Sequence, residues 1–488
     1  MSIYNIVFTQ NLIYNVSNLK KGAIDMTFQE HKVSDIKIAY IGGGSRGWAW
    51  GLMSDLASCD DISGQVYLYD IDLEAAKHNE IIGNKFQTAE GAKSIWQYHA
   101  AVTAEEALTG ADFVIISILP GTFDEMESDV HTPEKYGIYQ SVGDSTGPGG
   151  IVRAMRTLPM FEEFANWIRT YCPNAWVINY TNPMTLCVKT LYRVFPEIKA
   201  FGCCHEVFGT QKLLARMVKE KFGIENVDRQ DIKVNPVGVN HFTWLTKATY
   251  RNVDLFPYYA QFCEENPEGY TGEKVDQNWL NSFFGSAEKV KMDLFKKFGW
   301  IAAAGDRHLA EFCEGKWYLE NPQRVAEMHF GLTPVSWRKE DLKNRLESSA
   351  KKISGEEAVK INGTGEEGVN QIRALLGLCD LVTNVNIPNS GQIPNLPLGA
   401  VVETNAAFRA NSMTPVAAGE IPASIYPLIA RICGEQEQVS EGIAERDVKK
   451  IFAAFLNDPL ITCNMQEAQA LFDEMCQNTA KYLSMYQF

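Results

Sequence analysis

One stretch restricts the fold more than any other. The apolar run Ile36-Lys37-Ile38-Ala39-Tyr40-Ile41 leads directly into Gly42-Gly43-Gly44-Ser45-Arg46-Gly47. A strand followed by glycines at these intervals is the signature of a strand–turn–helix unit that receives a dinucleotide pyrophosphate. Gly42 permits the tight turn, Gly44 lets the backbone approach phosphate, and Gly47 allows close helix–strand packing. A helix starting near Ser45 aims its free N–H groups at the anion. Asp70 closes the next apolar run, 23 residues past Gly47. An acid there accepts the ribose hydroxyls and favours NAD over NADP, because it repels a 2′-phosphate. The predicted cofactor residues are Gly42, Gly43, Gly44, Ser45, Arg46, Gly47 and Asp70, with Pro120 after a later strand. Glycine loops also serve as plain turns, but strand, loop, helix, second strand and acid in one register favour the cofactor.

Strand-like runs recur at Val66–Asp70, Phe113–Ile118, Trp176–Tyr180 and Ala200–Cys203, separated by helical stretches such as Leu73–Thr88 and Thr157–Thr170. Short β-rich runs alternating with helices predict a Rossmann-type doubly wound parallel sheet of the α/β class. Ligands of such sheets bind outside the carboxyl ends of the strands. Asp70, Pro120, Asn182 and Cys204 all fall at or just past those ends, so they should share a crevice. Beyond about Val234 the pattern changes. Asn240–Thr246 reads as a strand, long helical segments follow, and Ile451–Met485 reads as a closing helix. The expected division is an N-terminal extension over 1–34, a cofactor domain over 35–235, and a second, mixed α/β, mostly helical domain over 236–488.

Composition excludes several functions. A formal net charge of −15 argues against a nucleic-acid or anionic-membrane role. No apolar run reaches the roughly 18 residues of a membrane span, and the first 34 residues lack the pattern of a secretory signal. Eleven cysteines without framework spacing suggest reduced thiols and a cytoplasmic location. Most, such as Cys59, Cys187 and Cys379, read as small core hydrophobes.

A second feature carries chemistry. Cys204-His205-Glu206-Val207 is followed 37 residues after its cysteine by His241, within Asn240-His241. Two soft or borderline ligands that far apart do not make a structural zinc finger. They leave an ion open to water or substrate, which suits a Lewis acid. Taken singly, a buried thiol and a core histidine are the commoner readings. Two carboxylates add to the list. Asp129 ends the acidic cluster Asp124–Asp129, equally readable as a solvated face, and Asp306 follows the small apolar run Ile301–Ala304.

These motifs resemble glycoside hydrolase family 4, the NAD- and metal-dependent glycosidases. The resemblance runs from Lys37 onward through Gly42–Gly47, Thr146-Gly147-Pro148-Gly149-Gly150, Asn182-Pro183, Cys204-His205, Asn240-His241, Asn395-Leu396-Pro397 and Val402-Glu403. The Cys204–Val207 tetrad is similar to that of the subgroup acting on α-galacturonides. The resemblance implies NAD and Mn²⁺ as cofactors, with Cys204 and His241 as metal ligands. It implies a redox-neutral reaction in which hydride leaves C3, a base removes the acidified C2 proton, and the glycosidic oxygen departs with help from an acid. Water then adds and hydride returns. Asp129 aligns with the family's acid and Asp306 with the base of α-acting relatives. Asn182, His205 and Asn240 would line the sugar pocket. A thiolate ligand by itself suggests zinc rather than manganese, so manganese rests on the resemblance alone.

A uronate carboxylate calls for a bidentate arginine. Arg307, beside Asp306, is the first candidate, followed by Arg153 or Arg156. Glu206 would accept from a sugar hydroxyl, hold an arginine, or disfavour a 6-phosphate. The expected partner is a small oligouronide, with neither nucleic acid nor membrane, on a homodimer or homotetramer. Rival readings are an α-galactosidase or α-glucosidase of the same family, a sugar or hydroxy-acid dehydrogenase, and a non-catalytic NAD sensor.

Overall fold

The computed structural model describes residues 26–271 and 283–488. Its strands are β1 (Thr27–Gln29), β2 (Lys32–Ile41), β3 (Ile62–Tyr69), β4 (Trp96–Ala101), β5 (Phe113–Ile116), β6 (Trp176–Asn179) and β7 (Lys199–Gly202). They continue with β8 (Ile232–Val239), β9 (Phe242–Tyr250), β10 (Val253–Asp254), β11 (Ile301–Ala302), β12 (Leu381–Pro388), β13 (Val401–Arg409) and β14 (Ser412–Pro415).

Strands β2 to β7 form a parallel sheet in the order β7-β6-β5-β2-β3-β4, so the Rossmann-like α/β class expected from the sequence is the one found. The run Ile38–Ile41 reads as uninterrupted because both of its faces are buried. Ile38 and Tyr40 pack into the core on one side, Ala39 and Ile41 into the core on the other. The order of strands reverses between β2 and β5, which makes their carboxyl ends the switch point where ligands bind. The 25-residue helix Gly147–Tyr171 lies against one face of the sheet, and the helix Trp48–Ser58 against the other.

Past β7 the direction changes. β12, β13 and β14 continue the same sheet antiparallel, joined to β7 through the register pair Asn386–Gly202. A second sheet of four strands is built on the hairpin β8–β9, whose tight turn is Asn240-His241. Asn240 therefore precedes the strand that was expected to start with it. β4 (Trp-Gln-Tyr-His-Ala-Ala) was not foreseen, because an edge strand with polar residues lacks the apolar run. The closing helix is divided into Val448–Asn457 and Met465–Asn478. Pro459 cannot extend a helix, and the Asp458 carboxylate instead accepts the N–H groups of Leu460 and Gly147. No helix among the described residues is long and apolar enough to cross a membrane.

Candidate active site

The glycine loop is shaped for close approach. Gly42 has φ +93°, and a Cβ there would stand 2.0 Å from the carbonyl oxygen of Ser117 at the end of β5. A Cβ on Gly44 would meet Ala75 Cβ at 2.7 Å and Asp70 Oδ2 at 2.8 Å. The helix Trp48–Ser58 starts at Gly47 with no side chain capping it and no acid in its first turn, which leaves N–H groups for an anion. Asp70 Oδ2 accepts from Gly44 N at 2.9 Å and Oδ1 from Asp72 N at 2.9 Å. Asp70 thus ties the loop to β3 while keeping lone pairs for a ribose. Arg46 Nε is buried without a partner. Pro120 lies buried beyond β5, its carbonyl accepting from Arg156 Nε at 2.9 Å. Gly47 and Trp48 also line a cleft of about 400 Å³ with Tyr180, Thr364 and Glu366, within the size of small-ligand sites. These features fit a dinucleotide.

Around the carboxyl ends of β6 and β7 the chain gathers polar groups. Ser145 Oγ donates to Asp144 Oδ1 at 2.7 Å and lies 3.1 Å from His241 Nδ1. A hydroxyl has one proton. With the Ser145 hydroxyl proton directed at Asp144, Ser145 accepts from Nδ1–H, and the lone pair of His241 is left on Nε2. Burial, then His308, draws His241 down to about 3, so the ring is a neutral ligand at physiological pH. Burial would raise Asp144, but Arg153, His308 and His241 hold it at about 2. Burial pushes the Cys204 thiol well above its usual range, with Glu403 and Glu206 adding to the effect.

The turn that carries Asn240-His241 is held from below. Buried Glu403 accepts from Asn384 Nδ2 at 2.8 Å, Thr243 Oγ1 at 2.5 Å and Asn240 Nδ2 at 3.4 Å. Asn384 Nδ2 also donates to the Cys204 carbonyl at 3.1 Å. One carboxylate on β13 thereby links both expected metal ligands. Among the described residues no group of three or more His, Cys, Asp or Glu is arranged to hold a metal. Buried Asn182 Oδ1 and Asn240 Oδ1 have no partner. Hard oxygens of this kind are what manganese prefers, so the donor set fits a divalent ion with open positions.

Several predicted residues join this cluster. Asn182 donates from Nδ2 to Asp144 Oδ2 at 3.2 Å, and its carbonyl accepts from Arg153 Nε at 3.2 Å. Arg153 is buried, with NH1 unpartnered. Glu206 Oε2 accepts from Gly305 N at 2.6 Å, and Oε1 lies 3.7 Å from both His205 Nε2 and His308 Nε2. Burial opposes its charge, but His308, His241, His205 and that N–H hold Glu206 at about 2. Among the described residues no arginine is held by Glu206. His205 Nδ1 is 2.7 Å from Glu366 Oε1.

Three residues are placed differently from expectation. Asp129 is fully buried and bound bidentately by Arg156, an interior ion pair rather than an acid facing a crevice. Asp306 turns its carboxylate to the backbone N–H of Lys291 at 3.0 Å, and burial with nearby Glu288 raises its affinity for a proton. Arg307 donates to the Gly331 and Ser141 carbonyls and to Thr333 Oγ1, so its guanidinium is largely committed.

Sequence reasoning missed Asp144, Ser145, His308 and the anchoring role of Glu403. His308 stood in the same tetrapeptide as Asp306. On a helix the two lie about 200° apart, so when Asp306 faces inward to Lys291, His308 faces the cluster. Asp144-Ser145 directly precedes the Thr146–Gly150 turn, and position next to that turn was the available signal.

Residues 37–220 match the model of the family 4 glycosyl hydrolases, and residues 236–461 that of the family 4 glycosyl hydrolase C-terminal domain. The chain belongs to glycoside hydrolase family 4. It is 60% identical over 458 residues to an alpha-galacturonidase of Thermoanaerobacterium saccharolyticum, covering 94% of this chain and 98% of that protein. A crystal structure of lplD from Bacillus subtilis superposes with TM-score 0.86 at 52% identity, over 91% of this chain and 100% of that one. The 6-phospho-beta glucosidase of Thermotoga maritima, solved with manganese, NAD⁺ and glucose-6-phosphate, gives TM-score 0.73 at 22% identity, over 92% and 99%.

Proposed function

We propose that this chain is an NAD- and manganese-dependent α-galacturonidase, releasing galacturonic acid from α-1,4-linked digalacturonate without net oxidation. The observation that carries the reading is 60% identity, over nearly the full length of both chains, to a protein named alpha-galacturonidase. The cytoplasm and a homodimer or homotetramer belong to the same reading. All eleven cysteines are free thiols, in keeping with a reducing compartment.

When bound, NAD supplies a reversible hydride acceptor for C3, and the divalent ion polarises the C2 and C3 oxygens of the sugar. The chain's own residues do the rest. The Gly42–Gly47 loop seats the pyrophosphate and Asp70 the ribose. Cys204 and His241 Nε2 hold the ion, with Ser145 and Asp144 fixing the His241 tautomer. Asn182 and Asn240 offer their unpartnered oxygens to the ion or to sugar hydroxyls. His308 Nδ1 and Asp306 Oδ2 are both buried without a partner, but His308 stands against Glu206 and His241 while Asp306 faces Lys291, which favours His308 as the group that takes the C2 proton. His205, braced by Glu366 through Nδ1, is left with Nε2 for the leaving oxygen. Asp129, held by Arg156, keeps a structural part.

The test is an assay on α-1,4-digalacturonate with NAD⁺ and Mn²⁺ each supplied or withheld. Release of galacturonate that needs both, with no accumulation of NADH, is the expected result. Net NADH without cleavage would mean a dehydrogenase. A second reading, a neutral α-glycosidase of the same family, has its support in 25% identity over 458 residues to an alpha-galactosidase of Bacillus subtilis. Cleavage of a neutral α-glycoside with digalacturonate left intact would establish it.

A further inference from the structure

The helix Val335–Ser354 carries Arg338 as its fourth residue, directly after the Gly331–Thr333 segment that receives Arg307. Other basic residues on this helix are paired: Lys339 with Asp124 and Glu127, Lys343 with Glu340, Arg345 with Asp341, Lys351 with Glu347, Lys352 with Glu357. Arg338 makes no hydrogen bond and no ion pair among the described residues. Its guanidinium stands 5.9 Å from the ring centroid of Phe284, a ring that Arg307 covers at 4.9 Å.

The location is costly for an idle cation. Burial is the largest influence on Arg338 and disfavours its charge, with Asp144 the main acid acting in its favour. Asp144 acts on it from beyond ion-pair distance, its oxygens accepting instead from Ser145 and Asn182. The positive end of the helix dipole also works against a cation this close to the N-terminus. Arg338 is half-buried, and a partly desolvated charge gains from a partner. Here the molecule offers an uncommitted planar fork in the field of Asp144, sharing the Phe284 ring with Arg307, whose guanidinium reaches Ser141.

We propose that Arg338 binds the C5 carboxylate of the galacturonate whose glycosidic bond is broken, and so sets the preference for uronides. The assignment rests on the α-galacturonidase reading. Arg307, its own donors committed to Gly331, Ser141 and Thr333, forms the wall that keeps Arg338 turned to the sugar. A guanidinium fork matches a carboxylate in two parallel hydrogen bonds, whereas an ammonium meets it as a point. Neutral glycosides lack the group that would complete Arg338, and leaving it unpaired in the complex disfavours them.

The experiment compares digalacturonate with its two mono-methyl esters, one blocked on the non-reducing sugar and one on the reducing sugar. The unmodified enzyme should prefer the free acid to the ester on the cleaved sugar by ~100-fold in kcat/KM, the scale of a lost charge-assisted pair. In Arg338→Gln that ratio should fall towards one, mainly through KM, and Arg338→Lys should restore part of it. Melting temperatures show whether each variant is folded. If Arg338→Gln does not fold, the Arg338→Lys ratio decides, since a structural role would leave it at the unmodified value. An unchanged ratio in a folded variant overturns the assignment, and so does sensitivity only to the ester on the other sugar. If the unmodified enzyme ignores digalacturonate and cleaves a neutral glycoside, the parent reading falls instead, a different outcome from either.

Discussion

His308 stacks on His241, with ring centroids 4.1 Å apart and planes 21° from parallel. The two imidazoles come from distant parts of the chain, one from the β8–β9 turn and one from the helix Asp306–Phe312. Two stacked rings at this distance resist carrying charge together, and His308 is the largest influence after burial in keeping His241 neutral.

His308→Phe separates the stacking from the chemistry. The ring remains against His241 while both nitrogens go. We expect manganese affinity within a few-fold of the unmodified protein and kcat reduced by about 10²–10⁴, the usual contribution of a group that moves a proton. Metal affinity by titration calorimetry and turnover on digalacturonate read the two effects. A collapse of metal binding would assign His308 to holding His241 in place.

Ser145→Ala removes the hydroxyl between His241 and Asp144. Without it the ring loses the partner that fixes its tautomer. Groups one step behind a metal ligand typically account for 10–100-fold in affinity, and we expect a weakening of manganese binding on that scale. Ser145→Thr keeps the hydroxyl and should recover most of it. Equal affinity for the Ala variant and the unmodified protein would show that the relay is idle.

Asp129→Asn tests an ion pair against an acid. Removing one partner of a buried pair costs about 3–5 kcal/mol, because the other charge is stranded. Urea unfolding should therefore show a large loss of stability, and the double change Asp129→Leu with Arg156→Met should recover much of it. A variant as stable as the parent yet inactive would return Asp129 to the acid role.

Glu311 makes stability depend on pH. It is buried, accepts from Val142 N at 2.6 Å and Gly143 N at 2.9 Å, and leaves Oε2 without a partner. Burial pushes its carboxyl up to about 8, against those two hydrogen bonds. The folded state thus binds a proton more tightly than the unfolded chain. The stabilisation this brings is full below the unfolded value of about 4.3 and is lost as pH rises through about 8. Glu311→Gln keeps acceptors for both N–H groups and removes the titration. The unmodified protein should lose on the order of 2–4 kcal/mol relative to this variant between pH 5 and pH 8.5. Parallel stability curves for the two proteins would rule the effect out.

The parallel sheet was legible in the sequence because strands buried on both faces write themselves as apolar runs, as Ile38–Ile41 and Phe113–Ile116 do. The strand-end residues Asp70, Asn182 and Cys204 followed from topology. What could not be read was rotation about a helix axis. Asp306 and His308 are two residues apart, and only packing against Lys291 decides which of them faces the cluster. Asp129 reads in sequence as a site acid or as part of a solvated face, and its position on the helix Phe123–His131 turns it instead towards Arg156. Glu403 and Arg338 lie far along the chain from the residues they serve, and no local pattern marks such distance.

The strands from 381 to 415 attach to β7 through a single register pair. On the ribosome, the sheet begun at residue 32 therefore stays open at β7 until roughly four-fifths of the chain has been made. An unpaired strand edge recruits other strands, so the nascent enzyme carries an adhesive margin at β7 for more than a third of its synthesis. Its yield in a cell then depends on how quickly those last strands arrive to cover that margin, and a chain released early presents chaperones and proteases with a recognisable flaw.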